Sequence, residues 1–267
     1  MAVEQVDSED DPRVAAYRVL RDGELVRSSG LFVAEGRHIV RRVLHDERYR
    51  VHSLLVNDAT RRDLEPVIAG LPADVPIFVS GSKALAAIAG YDVHRGCLAL
   101  VHRPSSVPVD ALAASVTVLL VLEGVSNADN IGGLFRNAAA FGAGGVLLSP
   151  TCCDPLYRKA VRTSMGATLR VPFAYADDWP GGLTRLKAAG FRLVALTPRD
   201  PSETLDAFAA RPRAKRLALV VGTEGAGLTA AVERAADDRV RIPISDRVDS
   251  LNVAVAAGIA LHALVGA

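Results

Sequence analysis

From residue 116 onward the chain alternates short, continuously apolar runs with segments of helical spacing, and few folds accommodate that alternation. Val116–Leu122 is a run of Leu and β-branched residues, the composition of a strand buried on both faces of a parallel sheet. Ile131–Phe141 has helical spacing, and strand Gly145–Ser149 and helix Leu156–Met165 follow. Helix Trp179–Ala189 leads into strand Arg192–Leu196, and strand Leu217–Val221 into a helix near Thr229–Ala235. Strand Val240–Ile242 and helix Leu251–Val265 end the series. The fold class this predicts is α/β with a mostly parallel sheet. The final helix is apolar almost all round, so it requires cover on nearly every side, inside the fold or against a second subunit.

The preceding hundred or so residues mix the same elements less regularly. Leu31–Val33, His52–Val56, Pro76–Val79 and Cys97–Val101 read as strands, and Glu35–His45, Asp58–Ala69 and Ser82–Ala89 as helices. Residues 1–10 hold four acids and no bases and read as a disordered tail. Between Val101 and Val116 the prolines and serines of His102–Asp110 break all periodicity. This divides the chain into an N-terminal domain (1–103), a linker (104–114) and a C-terminal domain (115–267).

Composition excludes several classes. Half the residues are apolar and 23% are charged, as in an ordinary globular protein. Lys plus Arg is 31 against 30 acids, so a nucleic-acid footprint has to be local. Residues 11–50 supply one, with nine Arg against six acids. Three cysteines, two of them adjacent, cannot staple a secreted domain, and neither CxxC nor HExxH occurs, so no metal is expected. The acidic start lacks the apolar core of a signal peptide, and no apolar run reaches the roughly 18 residues of a membrane helix. The expectation is a cytoplasmic protein with no membrane partner.

In an α/β sheet the functional loops follow the carboxyl ends of strands, and three such loops are rich in Gly and polar residues. The first runs from Glu123 to Arg136, with Asn130 at an expected helix N-cap and Gly132 and Gly133 permitting close approach. Helical spacing puts Arg136 on the face away from the core. The second, Gly222-Thr-Glu-Gly-Ala-Gly-Leu228, sets three glycines around Glu224. It is neither GxGxxG nor GxxxxGK[ST], which removes the dinucleotide fingerprint and the P-loop. The third, Ile242–Asn252, carries Ser250 as an expected N-cap with Asn252 in the first turn of the last helix. The six histidines lack ligand spacing, and His262 reads as a core residue.

The stretches NADNIGGLFRNAAAFG, LVVGTEGAGL and IPISDRVDSLNVAVAAGIAL resemble the three signature motifs of the SpoU (TrmH) family of SPOUT RNA methyltransferases, in that family's order. Residues 11–103 resemble, more loosely, the small RNA-binding domain that often precedes this catalytic domain. The resemblance implies a C-terminal trefoil knot, a homodimer, and S-adenosylmethionine held by Thr197, Gly222, Ile242 and Leu251. It implies methyl transfer to a ribose 2′-hydroxyl by Asn130, Arg136, Glu224, Ser250 and Asn252. Arg158, Lys159 and Arg162, beside the expected site, are candidates for RNA phosphate contacts. The expected substrate is ribosomal RNA. The alternatives are a transfer-RNA 2′-O-methyltransferase and a catalytically silent RNA- or ribosome-binding protein of the same fold.

Overall fold

The computed structural model describes residues 3–18, 29–90 and 96–265. Their contacts form two units: residues up to 105 together with 156–162, and residues 106–155 with 163 onward.

The first unit is built on a five-stranded sheet. Its strands are β1 (Val3–Gln5), β2 (Leu31–Glu35), β3 (Val51–Val56), β4 (Ile77–Val79) and β5 (Cys97–His102), in the order β1-β4-β3-β5-β2. β1, β4 and β3 run parallel, and β5 is antiparallel to both β3 and β2. Helices α1 (Arg37–His45), α2 (Asp58–Ile68) and α3 (Ser82–Ala89) accompany the sheet. Asn57 caps α2 by accepting from the Thr60 N–H at 2.8 Å. Tyr17, fully buried in this core, is satisfied by the Ser53 hydroxyl at 2.8 Å. The acidic start is not a disordered tail over its described residues. Val3–Gln5 adds a parallel edge strand to β4, Val6 is buried, and Arg13 pairs with both Glu4 and Asp11. Charge alone masked an apolar residue on either side of Glu4 and Gln5. Residues 19–28 of the Arg-rich stretch lie outside the described residues.

The second unit opens with a short helix, α4 (Val109–Ser115). The expected linker therefore shrinks to 104–108. Val109, Leu112 and Ala113, spaced i, i+3 and i+4, sit in the core, and two turns are too few to show periodicity beside two prolines. Then come β6 (Val118–Glu123), α5 (Ala128–Phe141), β7 (Gly145–Leu148), α6 (Arg158–Thr163, largely part of the first unit), β8 (Phe173–Tyr175), α7 (Gly181–Ala188) and β9 (Arg192–Leu196). They are followed by β10 (Glu203–Thr204), α8 (Leu205–Ala209), β11 (Leu217–Gly222), α9 (Ala230–Ala235), β12 (Asp238–Arg241) and α10 (Val253–Val265). All strand pairings are parallel, in the order β10-β12-β9-β11-β6-β7-β8. Central β6 has Leu119–Leu122 fully buried, as its unbroken apolar run requires. β7 and β8 extend the sheet on one side of β6, and β11, β9 and β12 on the other. The strand order thus reverses between β6 and β11.

Of the two covers expected for α10, the fold itself reaches one side only. Val253, Ala257, Ala260, Leu261 and Leu264 face the core, but Val255 and Ile259 are 52% and 41% exposed on the opposite side. His262 is not a core residue: it is exposed, with its ring 5.6 Å from that of Phe141.

Candidate active site

Asn252 is the centre of the site. It immediately precedes α10, and its Oδ1 accepts from the N–H groups of Ala254 at 2.9 Å and Val255 at 3.3 Å. Asn252, rather than Ser250, is therefore the N-cap, because it stands two and three residues before those unpaired donors. The capping fixes the amide plane and leaves Nδ2 free to point elsewhere. Nδ2 donates to Asn130 Oδ1 at 2.9 Å and to Glu224 Oε1 at 2.7 Å. Residues 122 and 28 positions away in sequence are thereby joined by one amide.

Asn130 lies in the first turn of α5, not at its cap. Asn127 caps that helix by accepting from the Asp129 N–H at 2.8 Å. The side chain of Asn130 is buried, so its pairing with Asn252 meets a hydrogen-bonding requirement that water cannot. The glycines beside it allow two contacts. A Cβ on Gly132 would strike Thr163 and Ser164, and one on Gly133 would come within 2.8 Å of the Ala254 side chain. Asn137 donates to the Ala254 carbonyl at 2.5 Å and ties α5 to α10 a second time.

The Gly222–Leu228 loop is folded tightly on itself. Thr223 bridges to Gly227, and Gly225 and Gly227 adopt φ of +82° and +69°. A Cβ on Gly222 would fall on the backbone of Gly227 and Leu228. Below the loop, Glu123 is 6% exposed and accepts from Trp179 Nε1 and from both the N–H and hydroxyl of Thr229, each at 2.8 Å. It fixes the end of β6 to the start of α9. Sequence reading missed this role, since nothing in the spacing marks Thr229 or Trp179 as its partners.

A cleft lies between these loops. Leu196, Thr197 and Pro198 line it after β9, Val221–Gly225 and Gly227 after β11, and Ile242, Ile244, Ser250 and Leu251 after β12, with Val253 and Ala256 of α10. The four expected cofactor residues, Thr197, Gly222, Ile242 and Leu251, therefore share one cavity, with Glu224 and Ser250 on its wall. Thr197 is 3% exposed and donates to buried Glu233 at 2.8 Å. An apolar wall of Leu196, Ile242 and Leu251 beside glycine-rich backbone suits a flat heteroaromatic ring with polar edges.

Arg136 stays apart from the Asn130–Asn252–Glu224 cluster. It is exposed, six residues beyond Asn130 and so about 9 Å further along α5. The Arg158, Lys159 and Arg162 group divides. Arg158 Nε donates to Glu35 at 3.0 Å with both side chains nearly buried, and Arg162 lies 3.7 Å from the same carboxylate. Lys159 is exposed. Among the described residues no group of three or more His, Cys, Asp or Glu is placed to hold a metal ion, and no helix is long and apolar enough to cross a membrane.

Known proteins resemble this chain over nearly its whole length. The chain is 41% identical over 264 residues to an uncharacterized tRNA/rRNA methyltransferase of Mycobacterium bovis, covering 97% of this chain and 91% of the other. It is 27% identical to the Bacillus subtilis 23S rRNA (guanosine(2553)-2′-O)-methyltransferase RlmP, over 99% of this chain and all of that one. The AdoMet-bound rRNA methyltransferase from Sinorhizobium meliloti superposes with a TM-score of 0.85 at 26% identity, over 98% of this chain and 97% of that one. Residues 117–262, which contain the whole cluster and cleft, match the SpoU rRNA Methylase family, and the chain belongs to that family.

Proposed function

We propose that this protein transfers the methyl group of S-adenosylmethionine to a ribose 2′-hydroxyl of ribosomal RNA. The observation that carries this reading is the Asn252 amide, which joins Asn130 and Glu224 at the edge of a cleft lined by Thr197, Gly222, Ile242 and Leu251. Family membership and the AdoMet-bound Sinorhizobium relative support the cofactor. The Bacillus relative, similar over the full chain, supports ribose 2′-oxygen and 23S rRNA as the acceptor over transfer RNA.

S-adenosylmethionine brings a methyl group already activated on a sulfonium, so the protein's task is to bind, orient and deprotonate the acceptor. Thr197, Gly222, Ile242 and Leu251 hold the cofactor. Asn130 and Asn252, locked together, hold Glu224 in place at the edge of the cleft. Arg136 stabilises the negative charge that develops on the 2′-oxygen, a role suited to a guanidinium that stays protonated. Glu224 takes the proton directly or through water, and Ser250 on the cleft wall completes the ribose contacts.

The same reading assigns RNA selection to residues 1–103 and the reaction to residues 115–267, with Lys159 and Arg162 contacting phosphate and Arg158 reaching RNA by exchanging Glu35 for a phosphate. It assigns a trefoil knot to the segment leading into α10, and a homodimer whose interface covers Val255 and Ile259. A cytoplasmic location goes with that substrate. The test is transfer of labelled methyl from S-adenosylmethionine to purified 23S rRNA and to bulk transfer RNA. Transfer to 23S rRNA alone is expected. Transfer only to transfer RNA would correct the substrate, and binding of RNA with no transfer to either would leave a silent binding protein.

A further inference from the structure

The loop that carries Glu224 has three glycines in seven residues, and such backbone is entropically costly to hold in one shape. Part of its fixing comes from a residue outside the three motifs. Arg199 follows the cleft-lining Thr197 and Pro198, and its guanidinium reaches over the loop. Nη2 donates to the Ala226 carbonyl at 2.6 Å, and Nη1 donates to the Leu228 carbonyl at 2.7 Å. Nη1 also lies 3.3 Å from Glu233 Oε1, the oxygen that accepts from Thr197. The Arg199 N–H in turn donates to Thr197 Oγ1 at 3.2 Å. One planar fork thus spans two carbonyls, two residues apart, on the loop between Gly222 and α9, a geometry that a guanidinium matches and an ammonium does not.

We propose that Arg199 is a positioning residue for the methyl-transfer reaction: it holds the Gly222–Leu228 loop in the shape that forms one wall of the cofactor cleft and sets Glu224 against Asn252. The inference rests on the cleft being the S-adenosylmethionine site. Arg199 is half exposed, so its ion pair with Glu233 adds little to global stability. Its effect therefore falls on cofactor affinity and, through Glu224, on the rate of transfer.

The experiment uses the full chain with S-adenosylmethionine as titrant, comparing wild type, Arg199→Ala, Arg199→Lys and Gly222→Val. Arg199→Ala is expected to raise the Kd and KM for S-adenosylmethionine about tenfold, the factor associated with losing one or two net hydrogen bonds. Its melting temperature and the KM for RNA should stay near wild type. Arg199→Lys, able to satisfy one carbonyl, should fall between. Low-millimolar guanidinium should tighten binding to Arg199→Ala and leave wild type unchanged. Wild-type cofactor affinity in Arg199→Ala would overturn the proposal, as would a loss of affinity that tracks a lowered melting temperature and ignores guanidinium. If folded Gly222→Val binds as wild type does, the cleft is not the cofactor site, and the failure lies with that assignment.

Discussion

Replacing Asn252 separates its two duties. In Asn252→Ala the cap of α10 goes, at a cost of about 1 kcal/mol. Buried Asn130 also loses the donor at 2.9 Å, and an unsatisfied buried amide costs about 1–3 kcal/mol. The expected destabilisation is about 2–4 kcal/mol. Asn252→Asp retains an oxygen to cap the helix but converts the donor 2.7 Å from Glu224 Oε1 into a second carboxylate. Glu224 is exposed, so the repulsion lies between about 1 kcal/mol for a fully hydrated pair and about 4 kcal/mol for a partly desolvated one. The sign with pH follows from linkage. Two facing carboxylates raise a folded-state pKa above its unfolded value, so the folded form binds the extra proton and stability rises as pH falls from neutrality toward the ordinary carboxylate range. Wild type and Asn252→Ala have no such pair and should lack this gain. Urea unfolding at neutral and mildly acidic pH, with methyl transfer measured on the same samples, tests all three proteins. Asn252→Ala with wild-type stability and wild-type transfer would show that Asn252 neither caps α10 nor holds Asn130 and Glu224, and Asn252→Asp that does not gain stability relative to Asn252→Ala on acidification would show that residue 252 does not face Glu224.

Three further outcomes are expected. Arg136→Ala should leave S-adenosylmethionine binding intact and lower single-turnover methyl transfer by about 10²–10³, because an exposed side chain leaves no core cavity; an unchanged rate would make Arg136 an ordinary surface residue. Sedimentation velocity should show a dimer that Ile259→Lys converts to monomer, since Ile259 is 41% exposed on an apolar helix; a wild-type monomer would require another cover for that face. Burial pushes the Cys97 thiol up to about 12, so peptide mapping after thiol labelling at mildly alkaline pH should find Cys97 unmodified until the protein is unfolded; rapid native labelling would contradict its burial.

Most of the second unit was legible because its strands are buried on both faces and its helices are long enough to show a period. Arg192–Leu196 has the expected bounds, and the other elements expected from residue 116 onward differ from the observed ones at their ends, with α6 the shortest relative to expectation. What escaped was short. Phe173–Tyr175 and Glu203–Thr204 are strands of three and two residues, and the two-turn helix Val109–Ser115 begins beside Pro108. Within the site, residue identities were readable and partnerships were not. Asn130 and Asn252 both looked like helix-start residues, yet capping alone could not say that one caps and the other is buried beneath it. Arg199 carries no local signal, because its meaning lies in two carbonyls 27 and 29 residues away. The candidate phosphate-binding Arg158 was judged from its charge, and its pairing with Glu35 requires a contact across 123 residues.

The chemical identity of the product decides whether a ribose 2′-hydroxyl is the acceptor. Total RNA from cells with and without the protein, digested to nucleosides and resolved by mass spectrometry, should differ by one ribose-methylated nucleoside that maps to 23S rRNA. Complementation with wild type should restore that nucleoside, and complementation with Arg136→Ala should not. A base-methylated nucleoside in its place, or restoration by Arg136→Ala, would contradict a 2′-hydroxyl acceptor whose developing charge Arg136 stabilises.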